Sequence, residues 1–78
     1  MVDLSPRQCK MARAALGFTI HDLATRARVS TNTITRLEGG ETLRERTIAD
    51  IRRVLEAAGV EFIDENGGGP GVRLRKGG

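Results

Sequence analysis

Apolar residues recur at helical spacing in four stretches of the chain, each bounded by residues that start or stop a helix. Cys9, Ala12 and Leu16 stand at i, i+3 and i+7 and form one face. Ser5 precedes them as an N-cap, Pro6 fits the first helical position, Gln8 completes a capping box, and Gly17 offers the left-handed stop. Leu23, Ala24 and Ala27 share a second face, with Thr19 as cap and Asp22 complementing the positive helix end. Ile34 and Leu37 mark a third helix that opens at Ser30 and closes at Glu38-Gly39-Gly40. The next stretch, ETLRER at residues 41–46, is charged and without period, and predicts a loop. Ile48, Ile51, Leu55 and Ala58 then predict a fourth amphipathic helix ending at Gly59.

From Val60 the period changes. VEFIDE carries β-forming residues at Val60, Phe62 and Ile63, NGGGPG continues no element, and VRLR alternates strictly. The two arms match in length and offer Phe62 or Ile63 against Val72 and Leu74, as in a β-hairpin or ribbon; the alternative is a disordered Gly-rich tail. A lone two-stranded ribbon is marginal in water. It is expected either to fold back on the helices or to pair its edge with a second copy of the chain. Residues 1–59 thus read as a helical domain, and residues 60–78 as a ribbon able to serve in dimerisation.

Between Thr19 and Gly40 the connection is very tight, since Arg28 and Val29 leave almost no room before Ser30 opens the next helix. A small Ala24 lets the two helices approach, while Val29 and Ile34 fill the angle between them. The geometry is that of a helix-turn-helix. Leu23-Ala24, Ala27, Val29-Ser30, Ile34, Leu37-Glu38 and Gly40 stand without a gap in the register of the phage-repressor and Cro-type family, also called the xenobiotic-response-element family, which the segment resembles. The resemblance extends over roughly residues 4 to 59, from Leu16-Gly17 to Ile48, Ile51 and Leu55. The family's usual Gln at the start of the motif is replaced by Ile20 or His21. Its turn Gly is replaced by Arg28, where a positive φ costs on the order of 1 kcal/mol.

The resemblance implies a small, mainly α, four-helix lambda-repressor-like DNA-binding domain, with the C-terminal β-hairpin or ribbon appended. It implies a sequence-specific transcriptional regulator of double-stranded DNA, binding a palindromic operator as a homodimer through a recognition helix at residues 30–37. Thr31, Asn32 and Arg36 fall where the family reads bases. Asn32 suits adenine, Arg36 the O6 and N7 of guanine, and Thr methyls the thymine methyl. Thr33 and Thr35 are candidates for phosphate contact, as are Ser30 beside its capping role and Thr19 at a helix N-terminus that attracts anions. Arg44 and Arg46 lie in the predicted loop that the resemblance sets beside the backbone. Arg13 and Glu38 occupy the positions of a structural ion pair common in such repressors. Arg52 and Arg53 are expected to pair with Asp50 or Glu56 instead.

Composition narrows the picture further. Seventy-eight residues make one domain with a modest core, built from Leu, Ile, Val and Ala because Phe18 and Phe62 are the sole aromatics. The net charge of +3 resides wholly in residues 1–59, since Glu61, Asp64 and Glu65 balance Arg73, Arg75 and Lys76. A single cysteine excludes an internal disulfide and a multi-Cys zinc site, and Cys9 with the lone His21 makes no nucleophile and base pair. GGGPG lacks the Lys-Ser/Thr of a phosphate loop. No enzyme, metal or cofactor is therefore expected, no small-molecule effector is evident, and without a signal peptide or spanning segment the expected location is the cytoplasm, away from membranes. The competing class is a protein-interaction module that uses the ribbon; the lack of acidic residues between Thr31 and Arg36 argues against it.

Overall fold

A computed structural model describes residues 4–64 and 67–75. Glu65 and Lys76 of the charge balance and Asn66 of the NGGGPG run lie outside the described residues. The element order is α1 (Pro6–Leu16), α2 (Ile20–Ala27), α3 (Thr31–Glu38), α4 (Glu45–Ala57), β1 (Val60–Ile63) and β2 (Gly71–Leu74).

Side chains close the starts of the first three helices. Ser5 and Gln8 form a full capping box on α1, and Thr19 and Asp22 form another on α2. Ser30 caps α3 by accepting from the Thr33 N–H. At their other ends these helices share one main-chain device: a left-handed residue is followed by a residue whose N–H reaches back five positions. Gly17 bonds to Ala14 O and Phe18 to Arg13 O; Arg28 bonds to Thr25 O and Val29 to Ala24 O; Gly40 bonds to Leu37 O and Glu41 to Arg36 O. Arg28, at φ 59°, is the non-glycine residue in this role.

Helix α4 begins earlier than the loop predicted over ETLRER. Arg44 is its N-cap, without a side-chain cap bond, and Glu45 and Arg46 lie in its first turn. Glu45 complements the positive helix end, which offsets the missing cap. Arg46 is accordingly a helical residue and not a loop residue.

One core joins all elements. Leu23, Ile34, Ile51, Leu55, Val60 and Cys9 are its largest fully buried side chains, and Leu4, Ala12, Ala24, Ala27 and Leu37 complete it. The ribbon is an antiparallel hairpin with Val60 opposite Leu74, Glu61 opposite Arg73, Phe62 opposite Val72 and Ile63 opposite Gly71. It folds back on α1 and α4. Val60, Phe62 and Val72 form its packed side, whereas Leu74, expected to point inward, is 54% exposed at the end of β2. Glu61 and Arg73 pair across the strands at 3.0 Å, and the Arg52 guanidinium lies 4.8 Å from the Phe62 ring centroid.

The join between helices and hairpin is made by Gln8. Its Oε1 accepts from the Ser5 N–H while its Nε2 donates to the carbonyls of both Ile63 and Gly71. The amide thus completes the α1 cap and anchors the last pair of the hairpin ladder in a buried position. Arg75 adds a bond from its N–H to Gly59 O and one from its guanidinium to Glu56 O.

Candidate nucleic-acid interface

The outer face of the molecule is set by what α3 buries. Ile34, Leu37 and Glu38 point into the body, so Thr31, Asn32, Thr35 and Arg36 are left exposed, and Thr33 is half-buried at the edge. Val29 in the turn packs against the core beside buried Ala24 and Ala27, which fixes the angle between α2 and α3.

Beneath this face lies a polar triad, buried at Cys9 and Glu38 and half-buried at Arg13. Arg13 on α1 grips Glu38 on α3 bidentately, with Nε to Oε2 at 2.7 Å and Nη2 to Oε1 at 2.8 Å. A third guanidinium nitrogen, Nη1, donates to Phe18 O. The Cys9 thiol donates to the same Glu38 Oε2 at 3.2 Å. Burial pushes the Glu38 carboxyl up, but hydrogen bonds from Arg13 and Cys9 and the guanidinium charge outweigh it, and Glu38 titrates below the usual glutamate range. Burial first, then the bond to Glu38, pushes the Cys9 thiol up to about 12, so this thiol is chemically quiet. Arg13 is committed to α1–α3 packing and does not face outward.

Hydroxyls along the face are partly engaged within the chain. Thr19 Oγ1 accepts from the Asp22 N–H, and in return the Thr19 N–H donates to Asp22 Oδ2, which, followed by the Thr19 hydroxyl, holds the Asp22 carboxyl below its ordinary value. The Ser30 and Thr33 hydroxyls are hydrogen-bonded to each other at 2.9 Å, and Thr35 Oγ1 donates to Thr31 O. Each hydroxyl oxygen keeps further lone-pair capacity toward solvent. Asn32 carries no such restraint among the hydrogen bonds described, and its amide projects from the first turn of α3.

A cleft of about 470 Å³ runs between α3 and the start of α4, lined by Val29, Thr33, Arg36, Thr42, Leu43, Arg44 and Thr47. It brings Arg36 and Arg44 to one depression, with three threonines between them. Arg46 is exposed but does not line it. A second cleft of about 240 Å³ is lined by Lys10, Ile20, Thr35, Glu38 and Gly39. On α4, Arg52 pairs with Glu56 and Arg53 with Asp50, which leaves their charges largely compensated.

Sequence reasoning missed Glu41. Its carboxylate accepts from Arg36 Nε at 3.0 Å. The signal was present in the Gly39-Gly40 pair, because a left-handed Gly40 returns the next residue to the last turn of α3. Also missed was the guanidinium of Arg26 stacked 4.4 Å from the Phe18 ring centroid, which covers the apolar link between α1 and α2.

Among the described residues no group of His, Cys, Asp or Glu is arranged to hold a metal ion, and no helix is long and apolar enough to cross a membrane. Residues 7–62, well over half of the chain, match the family described as a helix-turn-helix domain. No curated protein matches the sequence.

Proposed function

The chain belongs to the helix-turn-helix domain family, and from that premise we propose that it is a sequence-specific transcriptional regulator of the phage-repressor and Cro type, with a lambda-repressor-like helical domain. The observation that carries this reading is the outer face of α3: Thr31, Asn32, Thr35 and Arg36 stand exposed with no acid among them, on a helix clamped from behind by Ile34, Leu37 and the Arg13–Glu38 pair. Such a helix fits the major groove, where Asn32 suits adenine, Arg36 suits guanine and the Thr31 methyl suits thymine. Affinity is supplied by phosphate contacts from Arg44 across the cleft, from Arg46 on the first turn of α4, and from the hydroxyls of Thr19, Ser30, Thr33 and Thr35.

The protein acts as a homodimer on a palindromic operator with half-sites roughly 34 Å apart, and represses by excluding polymerase. It works in the cytoplasm under control of its own concentration. Dimerisation through the C-terminal strands is supported by Leu74, which is 54% exposed on β2. Truncation after Gly59 is a poor test, since it removes Val60 from the core. Sedimentation of Leu74→Glu is the cleaner one: strand-mediated dimers dissociate, and an unchanged association state rules them out.

Selection of bound sequences from a random DNA pool, repeated with Arg36→Ala, tests the reading as a whole. A palindromic consensus that loses one base preference in the variant is the expected result. No enrichment at low salt sinks the proposal.

A further inference from the structure

The same closure ends α1, α2 and α3, but the residue after the left-handed position differs in kind. After Gly17 it is Phe18 and after Arg28 it is Val29, both packed against the core. After Gly40 it is Glu41, and the apolar contact usual at this point of the motif is replaced by an ion pair. Glu41 is bound to Arg36 twice: its N–H donates to Arg36 O at 3.0 Å and its Oε1 accepts from Arg36 Nε at 3.0 Å. The main-chain bond returns residue 41 to the last turn of α3, within reach of the Arg36 guanidinium.

The pair is exposed, with 45% of the Arg36 and 57% of the Glu41 side chain accessible. Exposed pairs add little stability, so its consequence is geometric. A guanidinium presents two hydrogen-bonding forks, one along Nε and Nη2 and one end-on across Nη1 and Nη2. Glu41 occupies Nε, and no hydrogen bond among the described residues engages the end-on fork, which can match O6 and N7 of a guanine. A carboxylate at this place also repels the phosphates of any duplex laid against α3.

We propose that Glu41 is a specificity-determining positioning residue: it holds Arg36 by Nε so that the end-on fork meets one guanine, while its charge opposes every duplex alike. The inference rests on the reading of α3 as the recognition helix. Glu41 therefore lowers affinity for DNA in general while raising discrimination at one base.

The test uses the full chain as wild type, Glu41→Ala, Glu41→Asp and Arg36→Ala. Each is put through selection from a random duplex pool, then titrated against the wild-type consensus and the same duplex with the Arg36-dependent guanine replaced by adenine. Wild type is expected to favour guanine by about tenfold or more. Glu41→Ala is expected to bind both duplexes more tightly yet discriminate several-fold less at that base alone, with preferences elsewhere in the consensus unchanged. Glu41→Asp keeps the charge but not the reach: it retains weak general binding and loses discrimination. A merely structural Glu41 would shift all positions together, and thermal melts of the variants, expected to match wild type, check this. If Arg36→Ala loses the guanine while Glu41→Ala keeps it at full strength, the positioning role is overturned and the recognition-helix reading stands. A consensus unaltered by Arg36→Ala overturns the positioning role as well. If wild type enriches no sequence, the recognition reading fails and this inference fails with it.

Discussion

Gln8 in the first turn of α1 and Gly71 at the start of β2 are joined, across 63 positions of sequence, by an N–H···O bond of 3.2 Å. The same amide nitrogen reaches Ile63 O and the same side chain's oxygen closes the α1 cap. Gln8→Ala is expected to cost about 2–3 kcal/mol in urea unfolding, because buried carbonyls lose their donor and the cap its second half. Gln8→Glu is expected to be worse at pH 7, where a carboxylate faces two carbonyl oxygens, and to recover in part on acidification as the carboxyl gains a proton to donate.

Stability should fall in acid through Glu38. Its folded-state titration lies below the ordinary value, so the pair's contribution is present in full above the unfolded glutamate pKa and is lost as the pH falls through the lower folded value. Asp22, also held low, adds to the same trend. The wild type is expected to lose unfolding free energy from roughly pH 5 downward, and Glu38→Gln to show a shallower decline over that window. At pH 7, Glu38→Ala should cost about 3–5 kcal/mol, since Arg13 is left beside an unpaired buried site.

How much of this was legible in the sequence differs from place to place. The caps of α1 and α2 and the turn at Arg28 were readable because each depends on residues within a few positions. The start of α4 was not. Arg44 makes no cap bond, and ETLRER lacks the apolar period that marks a helix, so its first turn is held by the burial of Ile51 and Leu55 further along the same helix. Equally hidden was the resting place of the hairpin, because Gln8 reads locally as a capping residue and its second task is seen only when β2 lies against it. Of the candidate site, the outward set on α3 could be derived from Ile34 and Leu37, whereas Glu41 lay beyond the period of the helix and was returned to it by Gly40.

Arg28 is held at φ 59°, a conformation costly for any residue with a Cβ. Arg28→Gly and Arg28→Ala both remove the guanidinium, so their difference isolates the backbone. The Gly variant is expected to be more stable than the Ala variant by about 1 kcal/mol, seen as a higher melting temperature. Equal stability would show that the turn is not strained by its side chain.

Arg44 and Arg36 share one cleft but are assigned different tasks. Arg44→Ala should weaken binding to all duplexes alike and reduce the slope of log affinity against log salt by about 0.9 per protomer. Arg36→Ala should spare most of that slope and lower affinity for the consensus by about 1–3 kcal/mol. Anisotropy titrations at several salt concentrations separate the two. A selective loss of one base on Arg44→Ala would reverse the assignment.

Helix α3 is held from behind by Ile34, Leu37 and Glu38 and at its ends by Ser30 and by main-chain bonds. Nothing that keeps it in place uses Asn32, and what Thr31 supplies is a backbone carbonyl that any residue carries. The lettering on the outer side is therefore independent of the frame that displays it. The outer side chains can be exchanged one at a time without touching what holds the helix, so the face can diversify while the fold beneath it is kept.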